Sequence, residues 1–371
     1  MSRTVDGSGE GAMRLFKCQH CQQVLYFENS ICERCGRTLG YLPDIGTMSA
    51  LEPDGPAWIA LADPRSRYRF CANWEQQACN WMVPADSDDP YCVACRHNRT
   101  IPDVADPENH RRWQRIEEAK RRLFYSLIKL SLPIPTADGG DPEPLMFDFL
   151  ADPPAAGGPR VKTGHDNGLI TLSLREADEA AREATRAAMG EPYRTLLGHF
   201  RHEVGHYYWD RLVRDGGELD SFRALFGDER ADYGAALQTH YAQGAPAGWQ
   251  QGFVSAYATA HPWEDWAETW AHYLHIVDTL EIAGAFGIEV NPGITNDPAL
   301  ETDIRFEPHR VRDVQTLIDA WLPLTYAVNC LNRSMGQPDL YPFVIAPRVV
   351  EKMGYIHKLI HRPGRTQSKR A

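Results

Sequence analysis

The chain has 371 residues, 43% of them hydrophobic and 24% charged, enough for one large domain with small appendages or for two medium domains. A formal net charge of −11 excludes nucleic-acid binding through overall charge, and no apolar run approaches the roughly 18 residues that a membrane-spanning helix needs. The polar, Gly-rich opening MSRTVDGSGEGA lacks the apolar core of a signal peptide, so residues 1–13 read as a flexible leader on a cytoplasmic protein.

Nine cysteines are present and eight of them precede residue 96, a distribution that in a reducing compartment points to metal rather than disulfides. CQHC (Cys18, Cys21) and CERC (Cys32, Cys35) are two CxxC pairs joined by a strand-and-turn spacer, VLYFENS. Two such turns complete a tetrahedral thiolate site, which predicts a zinc ribbon over residues 14–45. Cys71, Cys79, Cys92 and Cys95 form a wider second set over residues 66–102, with Trp74, Trp81 and Tyr91 as its small apolar core. Four sulfurs leave zinc no open position, so both sites are expected to be structural. Residues 36–70, rich in Gly, Pro and Asp, read as a loose connection.

The body is expected over residues 103–362, with a disordered basic tail at 363–371. Trp113, Ile116, Leu123, Leu127 and Leu130 recur at helical spacing, and Pro133 and Pro135 end that helix, whose charges read as a solvated face. PLMFDFLAD reads as a strand. GLITLSL alternates as a half-buried strand, an Ala-rich helix runs to Ala188, and Gly190 and Pro192 break it. A long helix then starts at Tyr193. Near the end, LIDAWLPLTYAVNCLNRSMG is helical and makes Cys330 a buried apolar group. The fold class is α+β, a mainly helical body with a small sheet preceded by two small β modules.

The Tyr193 helix carries HEVGH. His202 and His206, four residues apart, project from one face and can hold one zinc ion, with Glu203 one step round and in reach of a water on that ion. Leu196, Leu197, Phe200, Val204, Tyr207 and Tyr208 make the helix largely buried, where unpartnered His and Glu would be costly. A catalytic zinc needs a third protein ligand. GDERADYGAAL offers Asp228, Glu229 and Asp232; WEDWAETW offers Glu264, Asp265 and Glu268. The second is preferred, because Pro262 suits a helix entry and Glu264 and Glu268 share a face, one able to ligate zinc while the other orients a histidine. His199, His261, His272 and His275 are read as satisfied histidines, and Asp210 as an anchor for the helix.

HEVGH followed by a distant glutamate helix resembles the gluzincin metallopeptidases. Glu264-Asp-Trp-Ala-Glu268-Thr-Trp is similar to the glutamate helix of the anthrax lethal factor group and of the Pro-Pro endopeptidases, with Trp270 where phenylalanine is usual. The resemblance implies that Glu264 is the ligand, that Glu268 supports a histidine, and that Tyr257, seven residues upstream of the ligand, stabilises the oxyanion. From Phe16 to Leu359 the chain is similar to a bacterial family of zinc-binding metallopeptidases with an N-terminal zinc ribbon. The expectation is peptide hydrolysis with Glu203 as general base, one catalytic and two structural zinc ions, a peptide or protein substrate, and a protein partner for the ribbon head, without membrane or nucleic acid. The strand 168–174 is expected to pair with an extended substrate. The rival readings are a zinc-ribbon adaptor for protein or nucleic acid on a non-catalytic zincin scaffold, and a zinc hydrolase of small amides.

Overall fold

The computed structural model describes residues 15–153, 160–189 and 194–362. The expected leader, the basic tail and the Gly190 and Pro192 helix break lie outside them. The chain divides into two compact units, Met1–Arg96 and His97–Ala371.

The first unit opens with the hairpin β1 (Phe16–Lys17) and β2 (Val24–Leu25), followed by β3 (Leu39–Leu42), β4 (Thr47–Asp54), β5 (Ala57–Ala60), β6 (Asp63–Phe70) and β7 (Met82–Pro84). The last five pair antiparallel in chain order, and an isolated bridge between Tyr41 of β3 and Trp81, just before β7, joins the two ends of that order. Residues 36–70 are therefore no loose connection. Pro43, Asp44, Gly46, Gly55 and Pro56 sit at the tips of hairpins, while Gly40, Pro53, Asp54, Asp63 and Pro64 lie within the strands. Leu42, Leu51, Ala60, Tyr68 and Met82 form the core. Of the three expected core aromatics only Trp81 is fully buried; Trp74 stacks on Phe70 at 4.0 Å and Tyr91 is exposed.

No cysteine is in a disulfide. Cys18, Cys21, Cys32 and Cys35 converge, as do Cys71, Cys79, Cys92 and Cys95. Sulfur pairs lie 3.6–3.7 Å apart. Ligands at about 2.3 Å around tetrahedral zinc would stand about 3.8 Å from one another, so both sets are spaced as zinc thiolates are.

The second unit begins one strand earlier than residue 103, because β8 (Asn98–Thr100) pairs parallel with β9 (Met146–Leu150). Between them runs α1 (Pro107–Lys129), whose entry Asp106 caps by accepting from Glu108 and Asn109 N. Its expected apolar face is buried, but so are Glu117 and Lys120. Lys120 donates to Glu117 at 2.9 Å and to Asn98, and lies over the Phe149 ring. That part of the supposed solvated face is an interior ion pair. β10 (Gly164–Asp166) and β11 (Leu169–Ser173) form a hairpin, giving the sheet order β10-β11-β9-β8. Asn167 and Gly168 both take positive φ at its tip, as a tight two-residue turn requires. β11 is consequently an inner strand; the outer strand on this side is β10.

Helices follow: α2 (Glu179–Met189), α3 (Leu196–Trp209), α4 (Leu219–Phe226), α5 (Tyr233–Gln243) and α6 (Pro262–Ala285). A small hairpin, β12 (Glu289–Val290) and β13 (Thr302–Asp303), precedes α7 (Val314–Ser334) and α8 (Pro347–Ile360). The architecture is α+β. α3 and α6 cross closely at Gly205, where a Cβ would stand 3.1 Å from Ala267 Cα and 3.2 Å from Trp270 Cδ1. Trp266 Nε1 donates to Gly205 O at 2.8 Å. The glycine inside HEVGH thus sets the distance between the two helices that carry the site. Cys330 is exposed rather than buried, on the outward half of α7 with Tyr326 one turn before it. Among the described residues no helix is long and apolar enough to cross a membrane.

Candidate metal centre

Thr195 starts α3 by accepting from Gly198 N at 3.0 Å, two residues after the expected start. The helix passes Trp209 into a wider π-type turn over Asp210–Arg214. His202 and His206 face the same way, with their Nε2 atoms 3.2 Å apart. α6 enters through His261, which accepts from Trp263 N at 3.1 Å, and Pro262. Glu264 lies in its first turn, where the helix dipole favours a carboxylate. Glu264 Oε2 stands 3.0 Å from His202 Nε2 and 3.7 Å from His206 Nε2. One turn further on, Glu268 Oε1 lies 2.7 Å from His202 Nδ1, and Glu268 Oε2 accepts from Ser255 Oγ at 2.7 Å.

Glu268 makes His202 Nδ1–H a donor, so that once Nε2 gives up its proton its lone pair faces the cluster. Burial opposes the imidazolium, yet Glu264 and Glu268 outweigh it and hold His202 well above its ordinary value. Burial likewise opposes the Glu264 carboxylate, and His206 and His202 outweigh it and hold Glu264 well below.

Glu264 Oε2 is buried and, despite its near neighbours, has no hydrogen bond of acceptable alignment. Three donor atoms spaced at 3.0, 3.2 and 3.7 Å match the edges, about 3.3 Å, of a tetrahedron with ligands at about 2.0–2.1 Å. An orphaned carboxylate oxygen, two converging imidazoles and a carboxylate bracing one of them fit zinc with one position left open.

Glu203, the residue after His202 on α3, is half-buried, and its charge is felt at the Tyr233 hydroxyl. The Tyr257 ring lies 6.0 Å from that of His202; burial first, then the field of Glu264, holds its phenol far above the ordinary value, so it stays protonated. The competing acids are engaged elsewhere: Asp228 with Arg230, Glu229 with Arg223, and Asp232 as the cap of α5. His199 lies 3.1 Å from Glu176, His272 bonds Tyr341, and His275 bonds Arg201. Asp210 pairs with Arg214 at 3.0 Å, an anchor within its own turn.

Three side chains at the centre have no signal in the sequence reading. Trp263 packs its ring 3.9 Å from that of His206. Ser255 holds Glu268. Tyr233 donates to Glu264 Oε1 at 2.5 Å. No spacing rule connects Tyr233 with a residue 31 positions away.

A second buried group, Asp278, Glu281 and His309, is also compact enough for a metal. Here His309 divides its nitrogens: Nε2 lies 3.1 Å from Asp278 Oδ1 and Nδ1 3.2 Å from Glu281 Oε1. Arg201 and Ser126 both donate to Asp278 Oδ2. That is the pattern of an imidazolium between carboxylates, tying α6 to α1 and α3.

Comparison with known proteins bears on both units. A family model described as "zinc-ribbon domain" matches residues 15–106. Proteins of Mycobacterium tuberculosis and Mycobacterium bovis, both described as uncharacterized, are 44% identical over 349 residues, covering 94% of this chain and 95% of theirs. No solved structure matches the chain significantly. The model of the family described as "Putative zinc-binding metallo-peptidase" matches residues 109–359, and the chain belongs to that zinc-binding metallopeptidase family.

Proposed function

We propose that the chain hydrolyses peptide bonds with a zinc ion held by His202, His206 and Glu264 and with Glu203 as general base. The observation that carries this reading is the convergence of three donor atoms at 3.0–3.7 Å, two of them on a helix where the half-buried Glu203 directly follows His202. Zinc, when bound, supplies Lewis acidity that polarises the scissile carbonyl and acidifies the attacking water. Glu203 takes the proton of that water and returns it to the leaving amine. Tyr257, kept as a neutral phenol, donates a hydrogen bond to the oxyanion as it develops. Glu268, itself held by Ser255, fixes the His202 ring so that Nε2 faces inward. An extended peptide adds to the outer strand β10, rather than to β11, since β10 runs beside α3 with the His165 ring 6.4 Å from that of His206.

The two cysteine sets would each hold a structural zinc whose binding energy adds to that of the first unit's apolar core. The reading assigns a peptide or protein substrate to the second unit, a protein partner to the first, and a cytoplasmic setting.

Glu203→Gln tests the mechanism. The variant retains its third zinc ion, while turnover falls about 10²–10⁴-fold. In a digest of a whole proteome, wild-type protein generates new N-termini that the variant does not. Equal turnover by both would remove Glu203 from the reaction.

A further inference from the structure

Tyr233 occupies a place that catalysis by Glu203 and Tyr257 does not use. Its hydroxyl donates at 2.5 Å to Glu264 Oε1, while the other oxygen, Oε2, is the one that faces the two histidines. Glu264 is almost completely buried, so no bulk water competes for that oxygen. The phenol ring is held edge-on against two neighbours, 5.2 Å from His261 and 5.9 Å from Trp263, both at the entry of α6. Asp232 fixes the backbone there by accepting from Ala235 N at 2.9 Å. α5 itself has no buried residue. The helix therefore has little core to hold it, and its first side chain is spent on one carboxylate oxygen.

A carboxylate can hold zinc through one oxygen or two. With both oxygens engaged, Glu264 would take up a position that a substrate needs, and the ion would lose electrophilic character. A short hydrogen bond from a fixed phenol keeps Oε1 occupied and leaves Oε2 alone to converge with the imidazoles.

Resting on the reading of a zinc peptidase above, we propose that Tyr233 is a positioning residue that restricts Glu264 to single-oxygen ligation and so keeps a zinc position open for substrate. It acts through Glu264 and touches no reacting atom. Nothing in the HEVGH motif or the glutamate helix specifies it.

The test uses full-length protein with zinc retained on the cysteine sites and either zinc or cobalt(II) added to the third site. Tyr233→Phe keeps the ring against His261 and Trp263 and removes only the hydroxyl. Zinc affinity of the third site, read by competition with a chromogenic chelator, is expected to fall about 10–100-fold. The visible cobalt bands should weaken and shift as a fifth ligand atom joins, and kcat should fall with KM little changed. Tyr257→Phe should leave the zinc affinity and the cobalt bands as in wild type. Tyr233→Phe with wild-type affinity and wild-type cobalt bands overturns the inference and leaves the peptidase reading standing. Wild-type protein that binds no third ion overturns both. Unchanged thermal midpoint of the metal-free third site in Tyr233→Phe, with lowered affinity, separates the positioning role from a folding defect and supports it.

Discussion

Two buried groups in the second unit contain the same ingredients and reach opposite outcomes. His202, His206 and Glu264 turn three donor atoms toward one point, and Glu264 Oε2 is left without an aligned donor. Asp278, Glu281 and His309 lie as close together, yet their charges are spread among neighbours: His309 Nε2 lies 3.1 Å from Asp278, its Nδ1 faces Glu281 at 3.2 Å and Glu307 at 3.5 Å without an aligned hydrogen bond, and Arg201 and Ser126 close on Asp278. Both groups satisfy a proximity test. What separates them is the direction of the lone pairs. A metal needs several on one centre, whereas an ion-pair network spreads them among partners. The groups also meet in sequence, because Arg201 of the second directly precedes His202 of the first.

The sharpest way to break this comparison is to remove one histidine from each group. His206→Ala should abolish binding of the third zinc ion and with it all turnover, leaving zinc only on the eight cysteines. His309→Gln should keep that ion. Elemental analysis after dialysis against a mild chelator distinguishes them, and loss of an ion from the His309 variant would make the second group a metal site.

His309→Gln should instead cost stability, about 3–5 kcal/mol, because Asp278 and Glu281 lose a buried partner. Burial opposes the charged ring, but Asp278, Glu281 and Glu307 outweigh it and hold His309 well above its ordinary value. A raised folded pKa gives stability that is complete below the unfolded value, about 6.5, and is lost as pH climbs through the folded one. The gap in unfolding free energy between wild type and variant should therefore be widest in mildly acidic buffer and narrow at alkaline pH. A gap that widens with pH would mean that His309 is buried neutral.

The same contrast explains what was legible in the sequence. His202 and His206 sit one turn apart, so a local rule places them on one face. Glu264 follows from a helix entry at Pro262 and from family resemblance. Direction is harder to read: apolar spacing locates the buried face of α1 but does not reveal that Lys120 and Glu117 are inside it as a pair. The alternation over 168–174 suggests a strand open to substrate, although Asn167-Gly168 marks a hairpin, and that hairpin supplies β10 as the outer strand. Cys330 is exposed although its helix is rich in apolar residues, because that composition does not say which half faces out. Tyr233 and Ser255 reach the centre through tertiary folding alone.

The smallest effects concern how firmly the first group is aimed. Glu268 accepts from His202 Nδ1 at 2.7 Å and from Ser255 Oγ at 2.7 Å, so aim passes from Ser255 to Glu268 to His202. Glu268→Ala removes both charge and acceptor and should cost zinc affinity at the upper end of about 10–100-fold. Glu268→Gln keeps an acceptor for Nδ1–H but loses the charge that makes the imidazole a stronger donor, which places it near the lower end. Ser255→Ala leaves the charge and the His202 contact intact, and Glu268 is exposed enough for water to replace the hydroxyl. Its cost should be smaller still, with about 1 kcal/mol lost from the metal-free protein. That ranking, Ala then Gln at 268 and Ala at 255 last, holds only if Glu268 acts by orienting and charging the ring. Were Glu268 itself the zinc ligand, Gln and Ala at 268 would both abolish binding, and Glu264→Ala would be the mild variant.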